Sequence, residues 1–213
     1  MLAVITGALR GWLLSRASRA EPLHPGSSVR ALVPVSVRDP GDPGRSAHPS
    51  QLHRVRPLLV DLPVGEPDPR LRLTQLGYAM AAHRASGRAV GADRVAALSG
   101  FAPPTLHALG ARAASGLAGR MFDLVITNVP GPQLPLYAAG ARMTEMFPIL
   151  PLAPGQPLSI ALTSYDGGVY YGITGDRDAM RDVRLIAELI EESLNELVTT
   201  SISRRRARPR GER

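Results

Sequence analysis

The chain has 213 residues with no cysteine, and all 25 of its basic residues are arginine, which excludes disulfide frameworks, thiolate sites and lysine Schiff bases. The formal charge of +7 is a tail effect: residues 199–213 hold six arginines and one glutamate, leaving the other 198 with 19 arginines against 17 acidic residues. A nearly neutral body with 4% aromatic residues excludes a folded nucleic-acid face, which gathers basic and aromatic side chains together.

Residues 1–20 read as an amphipathic helix, with Leu2, Ile5, Leu9, Trp12 and Leu13 on one face and Arg10, Arg16 and Arg19 toward its end. A secretory signal would start basic and run unbroken; here the start is uncharged and Arg10 interrupts. An arginine-bearing, acid-free transit segment fits better. A proline- and glycine-marked loop over residues 21–28 holds His24, and residues 30–38 predict a strand carrying Leu32, Val33, Val35 and Val37. Residues 39–50 are loop by composition, and residues 55–64 predict the next strand. The spacing over residues 70–85 predicts a helix mixing Leu71, Leu73, Leu76, Ala79, Met80 and Ala82 with Arg72, Gln75 and Arg84. Residues 92–100 and 105–117 read as helical, broken by Pro103-Pro104.

Residues 122–127 form a short β-branched run that predicts a buried strand, stopping at Asn128-Val129-Pro130-Gly131-Pro132. The two prolines remove backbone donors, and Gly131 is free to take positive φ. Such a loop at a strand end serves either as a binding surface or as a tight crossover that only redirects the chain. Residues 137–150 lead toward another strand, and residues 158–164 predict one in which Ile160 and Leu162 alternate against Ser159 and Ala161. Asp166-Gly167-Gly168 then signals a hairpin into a return strand over residues 169–174. The final helix is predicted over residues 180–198, with Val183, Ile186, Leu189, Ile190, Leu194 and Leu197 inward and Glu188, Glu191, Glu192 and Glu196 solvated. Asp176, Asp178 and Asp182 precede it as capping and dipole-compensating groups, and disorder is expected from Ser201 onward. The fold class is α/β, in an α+β two-layer form with a central mixed sheet flanked by helices.

The search for chemistry yields no catalytic residue and no metal site. His24, His48, His53, His83 and His107 lack ligand spacing, and read as satisfied or solvated histidines. No Gly-x-Ser-x-Gly elbow, phosphate-cradling loop or dinucleotide fingerprint is present.

Five ordered segments carry a resemblance. Asn128-Val129-Pro130-Gly131-Pro132, residues 135–141 (Pro-Leu-Tyr-Ala-Ala-Gly-Ala) and residues 155–165 resemble the C-terminal region of the bacterial wax ester synthase/diacylglycerol acyltransferase family. Residues 31–38 and 59–63 are similar to that family's earlier segments, so the likeness runs from about Leu2 to Val198. Where the family shows a Gly-Asn-Arg step, this chain has Leu52-His53-Arg54, which departs at two positions. The resemblance implies one half of a CoA-dependent acyltransferase fold: residues 1–20 as the connecting helix, residues 21–198 as the C-terminal half-domain and residues 199–213 as an arginine-rich tail. Met1 then sits at an internal position, just after the family's Asn-Asp motif.

In this family a His-His-x-x-x-Asp-Gly motif of the N-terminal half supplies the general base that takes the alcohol proton as its oxygen attacks the acyl-CoA thioester. No adjacent histidine pair occurs here. The resemblance therefore implies acyl-CoA as substrate with no cofactor, diacylglycerol or a fatty alcohol as acceptor, and the N-terminal catalytic half as partner. The setting it implies is cytoplasmic, peripheral at the inner membrane face or a lipid-droplet surface, with no nucleic acid. It points to Asn128, Pro130, Gly131 and Pro132 as substrate-channel residues, Asn128 through its side chain and Gly131 through close backbone approach. Two other readings stand beside this one: a non-catalytic module binding lipid or a partner, and a membrane- or nucleic-acid-binding protein working through the arginine tail.

Overall fold

The structure, a computed structural model, describes residues 1–17, 22–37, 54–86, 121–152 and 155–207. The expected helices over residues 92–100 and 105–117, and the Leu52-His53 departure, lie outside the described residues. In chain order the elements are α1 (Leu2–Arg16), β1 (Val29–Val37), β2 (Arg54–Leu62), α2 (Pro69–Ser86), β3 (Leu124–Pro130), β4 (Tyr137–Ala138), β5 (Ala141–Arg142), β6 (Leu158–Tyr165), β7 (Gly168–Gly175) and α3 (Val183–Ala207). The described residues of Met1–Arg30, Val60–Ser86 and Met180–Arg213 form one compact unit, and those of Ala31–Leu59 and Gly87–Ala179 form another.

The first unit is helical, with α1 packed against both α2 and α3. Its close approaches are made at glycine: a Cβ on Gly7 would stand 2.0 Å from Ser193 Oγ, and one on Gly11 would stand 2.8 Å from a Leu189 methyl. The first two turns of α1 bury Ala3, Val4, Ile5, Thr6, Ala8 and Leu9, so this part is enclosed nearly all round rather than presenting the single apolar stripe expected from the spacing. Arg10 is held on this helix by its Nη1, which donates to the carbonyls of Val64 at 2.8 Å and Gly65 at 2.9 Å. Asp68 caps α2, its Oδ1 accepting from Arg70 N at 2.8 Å, and Pro69 occupies the first helical position, where a missing N–H does no harm.

Leu76 of α2 is buried as its pattern suggests, but polarity in the first turn departs from that pattern. Arg72 is buried, while Leu71 and Leu73 are about half exposed, at 49% and 53%. The guanidinium is tolerated there because it pairs with Glu196 and donates to the carbonyls of Glu66 and Pro67. On α3, Ile186, Ile190 and Ser193 are buried, whereas Leu194 is 47% exposed. Glu188, Glu191, Glu192 and Glu196 make the solvated face the spacing predicts. The helix begins at Val183 rather than at residue 180, and continues to Ala207, past the point where composition predicts disorder. Arginine is a good helix former and favours a helix C-terminus, which outweighs the polar composition there.

The strands form a five-stranded mixed sheet in the order β2-β1-β3-β6-β7. β3 runs parallel to both β1 and β6, and β6 and β7 are antiparallel. The hairpin between β6 and β7 is the expected one, a two-residue turn with Asp166 at φ 45° and Gly167 at φ 83°. β6 does not alternate as expected. Leu158 to Thr163 are all buried, because residues 136–150 cross one face of β6 and β7: Ser159 Oγ donates to Leu150 O at 2.8 Å, and Tyr170 packs edge-on against Phe147 with centroids 5.3 Å apart. Gly172 permits that crossing, since a Cβ there would stand 1.6 Å from Pro148 O. Residues 137–150 thus supply only the two-residue strands β4 and β5, turned by Ala139 and Gly140 at φ 50° and 82°, followed by an extended segment.

Candidate functional site

The 128–132 loop is built on the end of β3. Sequence reasoning ends the strand before Asn128, but the parallel pairing continues through Asn128↔Leu162, Val129↔Thr163 and Pro130↔Ser164. Extended geometry is what a proline and the residue before it prefer, so Pro130 ends the strand without breaking it. Burial stops before pairing does. Leu124 and Ile126 are buried, while Asn128, Val129 and Pro130 are exposed, giving a hydrogen-bonded ledge that faces solvent.

With Pro130 and Pro132 lacking N–H groups, the loop's carbonyls are met by the β6–β7 hairpin and by the neighbouring Gln133 side chain. Thr163 Oγ1 donates to Val129 O at 2.9 Å, and Asp166 N donates to Pro132 O at 3.2 Å. Gln133 Nε2 donates to Gly131 O at 3.1 Å and to Ser164 Oγ at 2.8 Å. Gly131 does not use positive φ; a Cβ there would stand 2.3 Å from Ser164 O, so the glycine lets the loop lie against β6. Asn128 is the only side chain of the five with hydrogen-bonding capacity, and its carboxamide bonds to no other described residue. No side chain from Asn128 to Pro132 ionises, so the loop can bind and shape but cannot move a proton.

Beyond the loop the chain enters the β4–β5 hairpin, whose base is clamped by the buried Tyr165 hydroxyl. That group accepts from Leu136 N at 2.8 Å and donates to Met143 O at 2.9 Å. Arg142 pairs with Asp166, and that hydrogen bond raises the guanidinium pKa further above its ordinary range. Leu134, Leu136, Tyr137, Phe147 and Ile149 are exposed, an unusual concentration of large apolar side chains in one stretch. The structure thus places Asn128, Pro130, Gly131 and Pro132 together. The sequence missed their supports: Tyr165 is detectable only as an aromatic ending a strand, and Gln133 carries no signal.

A cavity of about 370 Å³ lies elsewhere, within the helical unit, lined by Gly7, Gly11, Arg72, Leu189 and Ser193 among others; no residue of the 128–132 loop borders it. Among the described residues no group of three histidine or carboxylate side chains is arranged to hold a metal, and no helix is long and apolar enough to cross a membrane. Asp182 pairs with Arg16 and accepts from Trp12 Nε1 at 3.1 Å, so its carboxylate ties α1 to α3; the Arg16 hydrogen bond, then that of Trp12, hold its pKa below the usual range.

The five-stranded mixed sheet, with β3 parallel to β1 and β6 and with β6 and β7 antiparallel, together with the helices makes this an α/β fold. Its fold is similar to that of the wax ester synthase/diacylglycerol acyltransferase from Marinobacter aquaeolei VT8, with a TM-score of 0.62 and 24% identity, covering 93% of this chain and 42% of that one. Residues 54–198 match the family described as WS/DGAT C-terminal domain, and the chain belongs to that family. It is 32% identical over 210 residues to the Mycobacterium tuberculosis H37Rv protein named "Probable diacyglycerol O-acyltransferase tgs1", covering 99% of this chain and 43% of that protein. Against "O-acyltransferase WSD" of Acinetobacter baylyi the identity is 29% over 199 residues, covering 91% of this chain and 40% of that protein. The chain spans less than half the length of the curated relatives it matches.

Proposed function

We propose that this chain is the C-terminal half of an acyl-CoA-dependent O-acyltransferase that esterifies diacylglycerol or a long-chain alcohol, with the 128–132 loop as part of the substrate-channel wall. The observation that carries the reading is the ledge at the end of β3: exposed, free of ionisable groups, and fixed by hydrogen bonds to its carbonyls. Such a surface suits an acyl chain and one polar anchor, Asn128, while proton transfer falls to a histidine-bearing partner half. Acyl-CoA enters as substrate and no cofactor is required. The complete enzyme works at a lipid surface, peripheral to the inner membrane face or on lipid droplets.

The test is reconstitution. The chain is combined with the N-terminal half of the tgs1 relative, palmitoyl-CoA and dioleoylglycerol, and CoA release is followed with a thiol reagent. Release by the mixture but by neither half alone is expected. Release by the isolated chain above the protein-free rate would overturn the division of labour, and a silent mixture of stably associated halves would overturn the acyltransferase reading.

A second reading, a non-catalytic module that binds lipid or a partner, is favoured by exposed Leu134, Leu136, Tyr137 and Ile149. It predicts that the isolated chain binds lipid vesicles with no acyl transfer under any pairing.

A further inference from the structure

We infer that Gln133 is a positioning residue for the 128–132 loop, acting through backbone carbonyls and not on substrate; this rests on the channel-wall reading given above. Gln133 is exposed, and an exposed carboxamide ordinarily gains little over its bonds to water. Here both ends of the group are engaged by protein. Nε2 donates to Gly131 O at 3.1 Å and Ser164 Oγ at 2.8 Å, while Oε1 accepts from Gly167 N at 3.2 Å. The amide's orientation follows from its neighbours, since a carbonyl must meet the NH2 group and a backbone N–H must meet the oxygen.

The loop requires such a group because of its own composition. In Val129-Pro130-Gly131-Pro132 only Val129 and Gly131 carry an N–H, and three of the four carbonyls accept from donors outside the segment. Thr163 serves Val129 O from within the strand pair, and the Asp166 backbone serves Pro132 O from the turn. Gly131 O depends on Gln133, which alone ties the loop both to β6, through Ser164, and to the turn before β7, through Gly167. Gln133 therefore sets the angle at which the chain leaves the ledge toward Leu134, Leu136 and Tyr137. Through that angle it sets how the channel wall meets an acyl chain.

Two variants separate the halves of the clamp. Gln133→Ala removes all three hydrogen bonds, whereas Gln133→Glu keeps an acceptor for Gly167 N and sets a carboxylate against Gly131 O. Hydrogen exchange in the isolated chain should rise about tenfold at Gly167 in Gln133→Ala but not in Gln133→Glu and stay unchanged at Ile160 and Leu162, while the carbonyl carbon shift of Gly131, which reports the accepted bond, should move in both. In the reconstituted enzyme the ratio of kcat/KM for palmitoyl-CoA over octanoyl-CoA should fall by about threefold or more in Gln133→Ala, a change that stability alone does not produce. Unaltered exchange at Gly167 together with an unaltered Gly131 carbonyl shift overturns the clamp. A loosened loop with an unaltered chain-length ratio overturns the role in positioning, whereas the channel-wall reading stands or falls separately with CoA release by the reconstituted halves.

Discussion

Gly131 shows how one missing side chain sets the position of a loop. A methyl group there would meet the backbone oxygen of Ser164, which cannot rotate away, so Gly131→Ala should force the ledge off β6. Overpacking of this kind costs about 1–3 kcal/mol, and a lower midpoint in urea denaturation is the expected reading. Asp182 gives a pH signature. Its folded pKa is depressed, chiefly by the hydrogen bond from Arg16, so its contribution to stability is present above the ordinary carboxylate range near about 4 and is lost as pH falls through the folded value. Trp12, the single tryptophan, donates to the same carboxylate, so its fluorescence should report that titration. Asp182→Asn should abolish the transition; an unchanged acid transition in that variant would assign it to another group.

At the scale of elements, glycines in helices divide into those that pack and those that do not. Gly77 lies on an exposed turn of α2 with nothing within 4 Å of where a Cβ would stand, so Gly77→Ala should stabilise the protein by about 0.5–1 kcal/mol, read as a raised Tm. Gly7→Ala should do the opposite. Its Cβ would stand 3.0 Å from Ser193 Cβ and 3.2 Å from Arg72 Nη2; the serine hydroxyl can turn away but its Cβ cannot, so α1 must move off α3. The helix-propensity gain of about 1 kcal/mol is then smaller than a packing loss of about 1–3 kcal/mol. The two variants measured side by side should shift Tm in opposite directions. α2 also shows what periodicity reports and what it does not: it finds the helix, but the buried side is decided by which residues find partners, and Arg72 has three where Leu71 and Leu73 remain in solvent.

At the scale of the molecule, the expectation is functional. The chain by itself should not turn over acyl-CoA, because neither the loop nor its supports carry a histidine to take the alcohol proton. A full-length relative assayed alongside it provides the positive control, and CoA release by the isolated chain is the measurement that would refute this. The compact units also cut across the chain's linear order. α1, expected as a connector, shares a unit with α2 and α3 even though 166 positions separate Arg16 from its partner Asp182.

Much was settled by the amino-acid order alone. Local chemistry sufficed for the strand and hairpin signals of β6 and β7, the glutamate face of α3 and the proline-marked loop after residue 127, because each depends on residues close in the chain. The ordered motifs were equally enough to indicate the family. Contacts between distant segments were needed for the rest. β3 runs on to Pro130 because β6 lies beside it, and β6 is buried on both faces because residues 136–150 fold back across it. Gly131 serves close packing instead of a turn because Ser164 O occupies the space its Cβ would need. Gln133 is an ordinary polar residue until the fold brings Gly167 and Ser164 within reach, 34 and 31 positions away. Burial and hydrogen-bond satisfaction depend on which surfaces meet, and no local pattern in a single chain records that.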